Sequence, residues 1–527
     1  TLIGVGDLTL SAKAVHSVET KAEAGSSGGI SLTPALGLSV VNNTTTARLG
    51  TGGTQATSGA IVVSAAQRST ISTEASGEAA GSKAAVGAVF ALALVDDRVM
   101  ATSDRNIDAD GAVTFTAAGA SLSTLTATAS AVGAASEEDG GSGGGDVDTT
   151  ATSELTGASD KQKSAGVGDA EQQAATDTAA NDEESRSAST SEGKVSVAAA
   201  VGINVQTSTV TVSIPDGIEV SAGGILKLGA VSNTDGQITA TGDAVGQADD
   251  DGETPPPSKV GIGAAVAVNV VKTRNDATLG DATHSVGGLD ISATKLDVEA
   301  LMADPNSTAT RSDVYLTRSS SGAGGSKVGV AGSLALNLID TQSVAQISGA
   351  ALVSVTGDGV VTLTTDNQTD TTAEALPVGG GATGGSVGVG ASVAINILAN
   401  RSDAEIADGG VLTGAGDLTL SAEATHKAVT KADAGSAGDI SVTPALGLSM
   451  ISNATTARLG TGATQAVSGA ISFSATQSST VTTEASSEAA GAKAAIGAAL
   501  ALALIDDQTL ATTDRNIDAD GAVSFNA

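Results

Sequence analysis

AAVAVNVV, residues Ala264–Val271, alternates with a period of two. Val266, Val268 and Val270 fall on one side of an extended chain, and Ala265, Ala267 and Asn269 on the other. The same alternation sets Leu334, Leu336 and Leu338 against Ser333, Ala335 and Asn337. It sets Val393, Ile395 and Ile397 against Ala394 and Asn396. Val and Ile favour strands, and the flanking glycines punctuate them. An Ala-rich helix is the rival, since Ala favours helix, but a period of two with frequent Gly opposes it. Neither side carries a charge, so burial on both is expected, as in parallel sheets. The small-residue side lets another layer approach closely. In GDLTLSA, Gly6–Ala12, Leu8 and Leu10 alternate with Thr9 and Ser11, so one face of that strand is expected to be wet.

The segment recurs. VGINVQ at Val201–Gln206, VAVNVV at Val266–Val271, LALNLI at Leu334–Ile339 and VAINIL at Val393–Leu398 align, with LGLSVV at Leu36–Val41 and FALALV at Phe90–Val95 as diverged members. With the Asn position as marker, the series runs 39, 93, 204, 269, 337, 396 and 449. Each unit passes from a Gly/Ser-rich loop into the apolar strand, then through a short polar stretch to a turn and further strands. A longer period lies above this one. Residues 1–117 return as 411–527 without a gap and with about 80 identities, a period of 410 residues. The pattern divides the first period into about six units, near 1–70, 71–136, 193–244, 258–310, 326–378 and 385–410, with 411–527 opening the next. The chain has no start Met and no leader and is expected to be an excerpt of a longer array.

Composition bounds the rest. The chain has 527 residues, a formal net charge of −33, 1% aromatic residues and no Cys. Such acidity repels phosphate backbones and argues against nucleic-acid binding. Without Cys there is no disulfide framework and no thiolate site. The longest apolar runs reach about a dozen residues, short of the ~20 of a spanning helix. A hydrophobic fraction of 40% in a regular pattern is not that of a disordered chain.

The economical architecture is an all-β parallel β-solenoid (β-helix) of tandem repeats. One coil cannot bury its own apolar face, so coils stack and share a core. Stacking places like residues in register, and Asn204, Asn269, Asn337 and Asn396 are expected to form a ladder of amide hydrogen bonds. With roughly 20–30 residues per rung, a period would span about 65–100 Å. The alternative is a string of small β-sandwich modules.

Two acidic inserts, 137–192 and 248–259, each sit just before a marker strand. The first holds 14 acids against 3 bases. Both read as solvated excursions, with weak cation binding or partner recognition as the sharper alternative. Asn106, Asp108 and Asp110 before Gly111, repeated as Asn516, Asp518 and Asp520 before Gly521, match the first half of a calcium loop, because alternate oxygen ligands followed by Gly suit a hard cation. The acid of the twelfth loop position falls on Ala117 and Ala527, and aligned units carry Ser221-Ala222-Gly223-Gly224 here. Asp110-Gly111 thus also reads as a turn. Calcium is the one candidate cofactor. His16, His284 and His426 lack zinc spacing. Asp96-Asp97, copied at Asp506-Asp507, is an acid pair of the kind used by glycosidases, without an aromatic sugar platform.

The run GVGAAVAVNVV with A-x-I-G and G-G-x-L-x-L-x-A resembles the β-strand repeats of giant bacterial surface exoproteins, the filamentous-haemagglutinin-like and leukotoxin-type adhesins. The resemblance covers nearly the whole chain outside the inserts. It implies a secreted, extracellular protein at a bacterial cell surface, with a β-helical stalk serving adhesion, cell–cell contact or biofilm matrix. It implies as partners other copies along or beside the fibre, and a host-cell, neighbour-cell or matrix surface, with no membrane span. It supplies no catalytic residues, and no enzyme is expected. Two other expectations are kept: a binding or toxin passenger with specificity in the inserts, and a polysaccharide-active β-helix.

Overall fold

The computed structural model describes residues 2, 4–132, 195–244, 259–280, 289–303, 312–349 and 351–527. They form a parallel β-solenoid. Leu8 pairs with Ile61, Ile61 with Val113 and Val113 with Leu226, and the column continues through Leu296, Val361, Leu418, Ile471 and Val523. Five of these eight steps are 52–57 residues long, and the other three are 65, 70 and 113. One coil therefore takes about twice the 20–30 residues expected of a rung. Six coils separate Leu8 from Leu418, which makes the 410-residue period about 29 Å long at ~4.8 Å per rung. The longer expectation borrowed the short coils of other solenoids; here each coil carries two arms of about twenty residues.

The arms are clearest in the third and fourth coils. Val113–Val132 is the first arm, Val195–Ile214 the second, and Glu219–Ala222 a short closing side. Ile225–Ala244, Val260–Leu279 and Leu289–Ala293 repeat this. In the first coil both arms belong to the strand Leu8–Leu49, whose register shifts between Gly28 and Ile30 where the chain folds back at the tip. The Gly-rich loops before the marker strands are these tips. A Cβ on Gly81 would lie 1.9 Å from the Ala84 carbonyl oxygen, and on Gly384 1.9 Å from that of Val387. Only glycine closes so tight a fold-back. Both acidic inserts leave from tips, between Val132 and Val195 and between Ala244 and Val260. Residues 137–192 and 248–258 themselves lie outside the described residues.

At the base, both arms and the short side meet around a core of larger side chains. Leu10, Val63, Phe115, Leu228, Val298, Leu363, Leu420, Phe473 and Phe525 form one axial column of it. The rings of Phe473 and Phe525 stack at 4.6 Å, one rung apart. Leu8 and Leu10 point into this core while Thr9 and Ser11 stay exposed. Above the base the arms close face to face. A Cβ on the inward Gly37 would lie 2.8 Å from the Glu74 carbonyl oxygen, and on Gly87 2.4 Å from that of Ser130. At these levels Gly, Ala, Ser, Thr and Asn line the gap, while larger side chains such as Ile71, Leu125 and Ile238 fill it elsewhere. The Thr45 hydroxyl donates to Gln67 Oε1 (2.8 Å), and that of Thr73 to Ser39 Oγ (2.7 Å).

This gap corrects one expectation. The marker strands are not buried on both sides. Ala265, Ala267 and Asn269 are fully buried between the arms. Their neighbours Val266, Val268 and Val270 face outward and are half-buried only by each other. The branched aliphatics of these segments lie outside because the space facing Ala265, Ala267 and Asn269 is thin; it widens farther along the arms, where Val271, Tyr315, Ile339, Leu398 and Ile451 pack inward.

Candidate functional site

The marker asparagines occupy one axial column. Asn204 is in register with Asn269, Asn269 with Asn337 and Asn337 with Asn396, flanked by Ala93 and Ser449. All four are fully buried. Asn204 Nδ2 donates to Asn269 Oδ1 (3.0 Å), and Asn337 Nδ2 to Asn396 Oδ1 (2.8 Å). Their second role lies across the gap. Asn269, Asn337 and Asn396 each donate to a backbone carbonyl of the facing arm, those of Gly236 (3.1 Å), Thr372 (2.9 Å) and Val429 (2.8 Å). Each amide ties two sheets together, which satisfies a polar interior that water does not reach.

A second polar column stands four residues on, where every copy is polar: Asn43, Asp97, Ser208, Thr273, Thr341, Asn400, Asn453 and Asp507. Thr341 donates to Asn400 (2.8 Å), Asn400 to Asn453 (2.7 Å) and Asn453 to Asp507 (2.6 Å), one chain over four coils. The recurrence of a polar residue four positions past the marker is the sequence signal for it.

The outward side of the second arms is the opposite in character. Six columns, opening at Ile30, Leu32, Pro34, Leu36, Leu38 and Val40, run across eight coils. None of these positions carries a polar side chain. Side chains well inside the sheet remain open to solvent, among them Val205 (36%), Ile397 (38%) and Met450 (40%). Beyond Val40 the next two columns bring charge: Asp96, Lys272 and Asp340, then Arg98, Arg274 and Arg401. Arg274 pairs with Asp340 at 2.8 Å and Arg98 with Asp96 at 2.9 Å. The outer side of the first arms is polar, with pairs such as Lys427–Asp370 (2.8 Å) and the largely buried Arg318–Glu374 (3.0 Å).

The remaining candidates are dispersed. Asn106 and Asp110 flank the short strand Ile107–Ala109, whose Ile107 and Ala109 turn inward and whose Asp108 is exposed. Asn106 Oδ1 accepts from the Glu219 amide of the next coil at 3.0 Å, and the Gly111 amide donates to the Gly59 carbonyl at 3.0 Å. Asn516, Asp518 and Asp520 repeat the arrangement around Ile517–Ala519. These oxygens are spread along an extended edge rather than wrapped about a point as in a calcium loop. Among the described residues no three His, Asp or Glu side chains gather closely enough to hold a metal. Asp96 and Asp97 point to opposite sides of one strand. Asp97 is buried among Asn43, Gln67 and Ser121, while Asp96 faces out beside Arg98. They do not converge on one substrate. His426 is buried with Nδ1 on the Thr369 hydroxyl (2.9 Å), and burial lowers its pKa to about 4. His284 lies outside the described residues. Burial raises Asp243 to about 7, and Asp276 and Asp366 to about 6, the last two against partly offsetting neighbours. Asp243 and Asp276 belong to different arms of one coil and Asp366 to another coil, and the three form no common site.

Among the described residues no helix is long and apolar enough to cross a membrane. No family model matches the chain, no curated protein matches it, and no solved structure matches it.

Proposed function

We propose that this chain is a stretch of an extracellular structural protein, an elongated stalk, fibre or sheath at a bacterial cell surface serving adhesion, cell–cell contact or matrix. One observation carries the reading: the 410-residue period equals a whole number of coils. Leu418 stands in the same column as Leu8, and the copied segments 1–117 and 411–527 occupy equivalent places in the stack. A period that closes on six coils continues without a break in core, ladder or face, which is what an array of indefinite length requires. The acidity supports it, since a net charge of −33 keeps an extended assembly soluble.

The test is electron microscopy of chains carrying one, two and three periods. Particle length should grow by about 29 Å per period at constant width. Compact particles whose largest dimension does not follow the period count would overturn the reading.

A second reading keeps specificity in the acidic inserts, favoured by the exit of both from tips of the coils, where they leave the stack intact. Deleting 137–192 should then abolish binding to the recognised cell or matrix surface at unchanged strand content. Retained binding excludes it.

A further inference from the structure

The strongest unabsorbed feature is the outer face of the second arms. All-parallel sheets normally have both faces covered, and monomers rarely expose contiguous apolar patches beyond a few hundred Å². Here six columns over eight coils carry no polar side chain in a chain of net charge −33. The face spans ten residues along the strands and seven rung spacings across them, about 33 by 34 Å, or about 1,100 Å².

We infer that this face is an interface for a second copy of the same chain, packed sheet against sheet. Stable interfaces bury about 800 Å² per partner, and this face supplies that area. It has the anatomy of one, an apolar centre bordered by charge. It is self-complementary, because each of its columns is apolar throughout and two sheets pack aligned at about 10 Å.

The rim fixes the orientation. A two-fold axis parallel to the strands lays the rim of one copy on that of the other with coil order reversed, so the fourth coil meets the fifth. Lys272 then stands across from Asp340, and no like charges oppose in that column or in the one through Arg98, Arg274 and Arg401. An axis along the solenoid would instead set Arg98, Arg274 and Arg401 on the apolar columns at the tip, desolvating those charges with no partner across the interface. The inference names the partner and the surface for the reading in which copies lie beside one another, and rests on that reading only for its biological use.

Sedimentation equilibrium of the chain between 1 and 50 µM (roughly the range in which interfaces of this size associate) tests it. The expected result is twice the chain mass. Leu336→Glu with Leu448→Glu, both outward and two coils apart, should weaken association at least a hundredfold with an unchanged far-UV spectrum. Thr362→Glu, on the polar outer side of a first arm, should leave the dimer intact. If the double glutamate variant loses its β spectrum, Leu336→Ser with Leu448→Ser replaces it, with at least a tenfold weakening expected. A monomer at every concentration overturns the inference, as does a dimer indifferent to the face variants. A monomer that floats with phosphatidylcholine/phosphatidylglycerol vesicles overturns it in favour of a lipid surface. A monomeric chain that still lengthens by period in the microscope keeps the stalk and loses the dimer; a dimer that does not lengthen does the reverse.

Discussion

Asn337 shows what a single side chain does in so thin a molecule. It donates to Asn396 along the axis and to the Thr372 carbonyl across the gap, and accepts from the Thr317 hydroxyl. Asn337→Ala leaves those partners buried and unpaired, at a cost of about 1–3 kcal/mol. Urea midpoints should fall accordingly, whereas Thr362→Ala on the polar outer side should change little. Titration pulls the molecule in two directions. Folded His426 refuses a proton until about pH 4, while unfolded His426 accepts one below about 6.5. Its contribution is intact above 6.5 and is lost as pH falls through that window, by roughly 3 kcal/mol in full. Asp243, raised to about 7, and Asp276 and Asp366, raised to about 6, act oppositely. Folded, they hold protons that the unfolded chain has released, so their contribution is present below about 3.8 and is lost as pH rises through 6–7. Stability of the wild-type chain between pH 7.5 and 4.5 is thus a balance. His426→Asn removes the opposing limb and should gain in urea midpoint relative to wild type on acidification. Parallel profiles for the two proteins would contradict the burial assigned to His426.

The arms and tips carry the next level of constraint, and glycine reports it. Gly263 faces inward, where an added Cβ would lie 1.9 Å from the Gly322 carbonyl oxygen. Gly332 faces outward with no atom within 4 Å, in a column whose neighbours are Ala264 and Ala391. Gly263→Ala should therefore destabilise by more than about 3 kcal/mol, since backbone must move. Gly332→Ala should stabilise by about 0.5–1 kcal/mol, the ordinary gain of replacing strand glycine. The contrast was half legible in the sequence. Alternation placed Ala265, Ala267 and Asn269 together and opposite Val266, Val268 and Val270, and the marker series proved to be the register of the coils. Which side faces in could not be read, because neither side has charge and the common rule buries the larger side chains. The rule fails where two sheets close to within a glycine of each other. The polar column from Asn43 to Asp507 escaped for a related reason: buried Ser, Thr, Asn and Asp look like surface residues until the gap that encloses them is seen. Coil length was missed too, since the turns between arms resemble those between coils.

Over the whole molecule the stack behaves as a line of coupled coils rather than a set of lobes. Each inner coil pairs with the one before and the one after, and the base core, the polar column from Asn43 to Asp507 and the outer face run through all of them. Stability is then a sum of coil and neighbour terms, weakest where a neighbour is missing. The strand Ile471–Thr513 is paired along its length on one side, while on the other only Ile471–Ser474 meets Val523–Asn526. Its residues from Ala494 onward are exposed on both faces for most of their length. In the 527-residue chain taken by itself this edge strand should therefore open first. Hydrogen exchange followed by mass spectrometry should show the least protection over residues 481–513. Protection should rise inward to the arms Val260–Leu279 and Val328–Ile347, which are paired on both sides. A string of sandwich modules would behave differently: protection would change in blocks with sharp boundaries, and each block would melt at its own temperature. A graded profile with slowest exchange in the central coils is the outcome that a continuous solenoid requires.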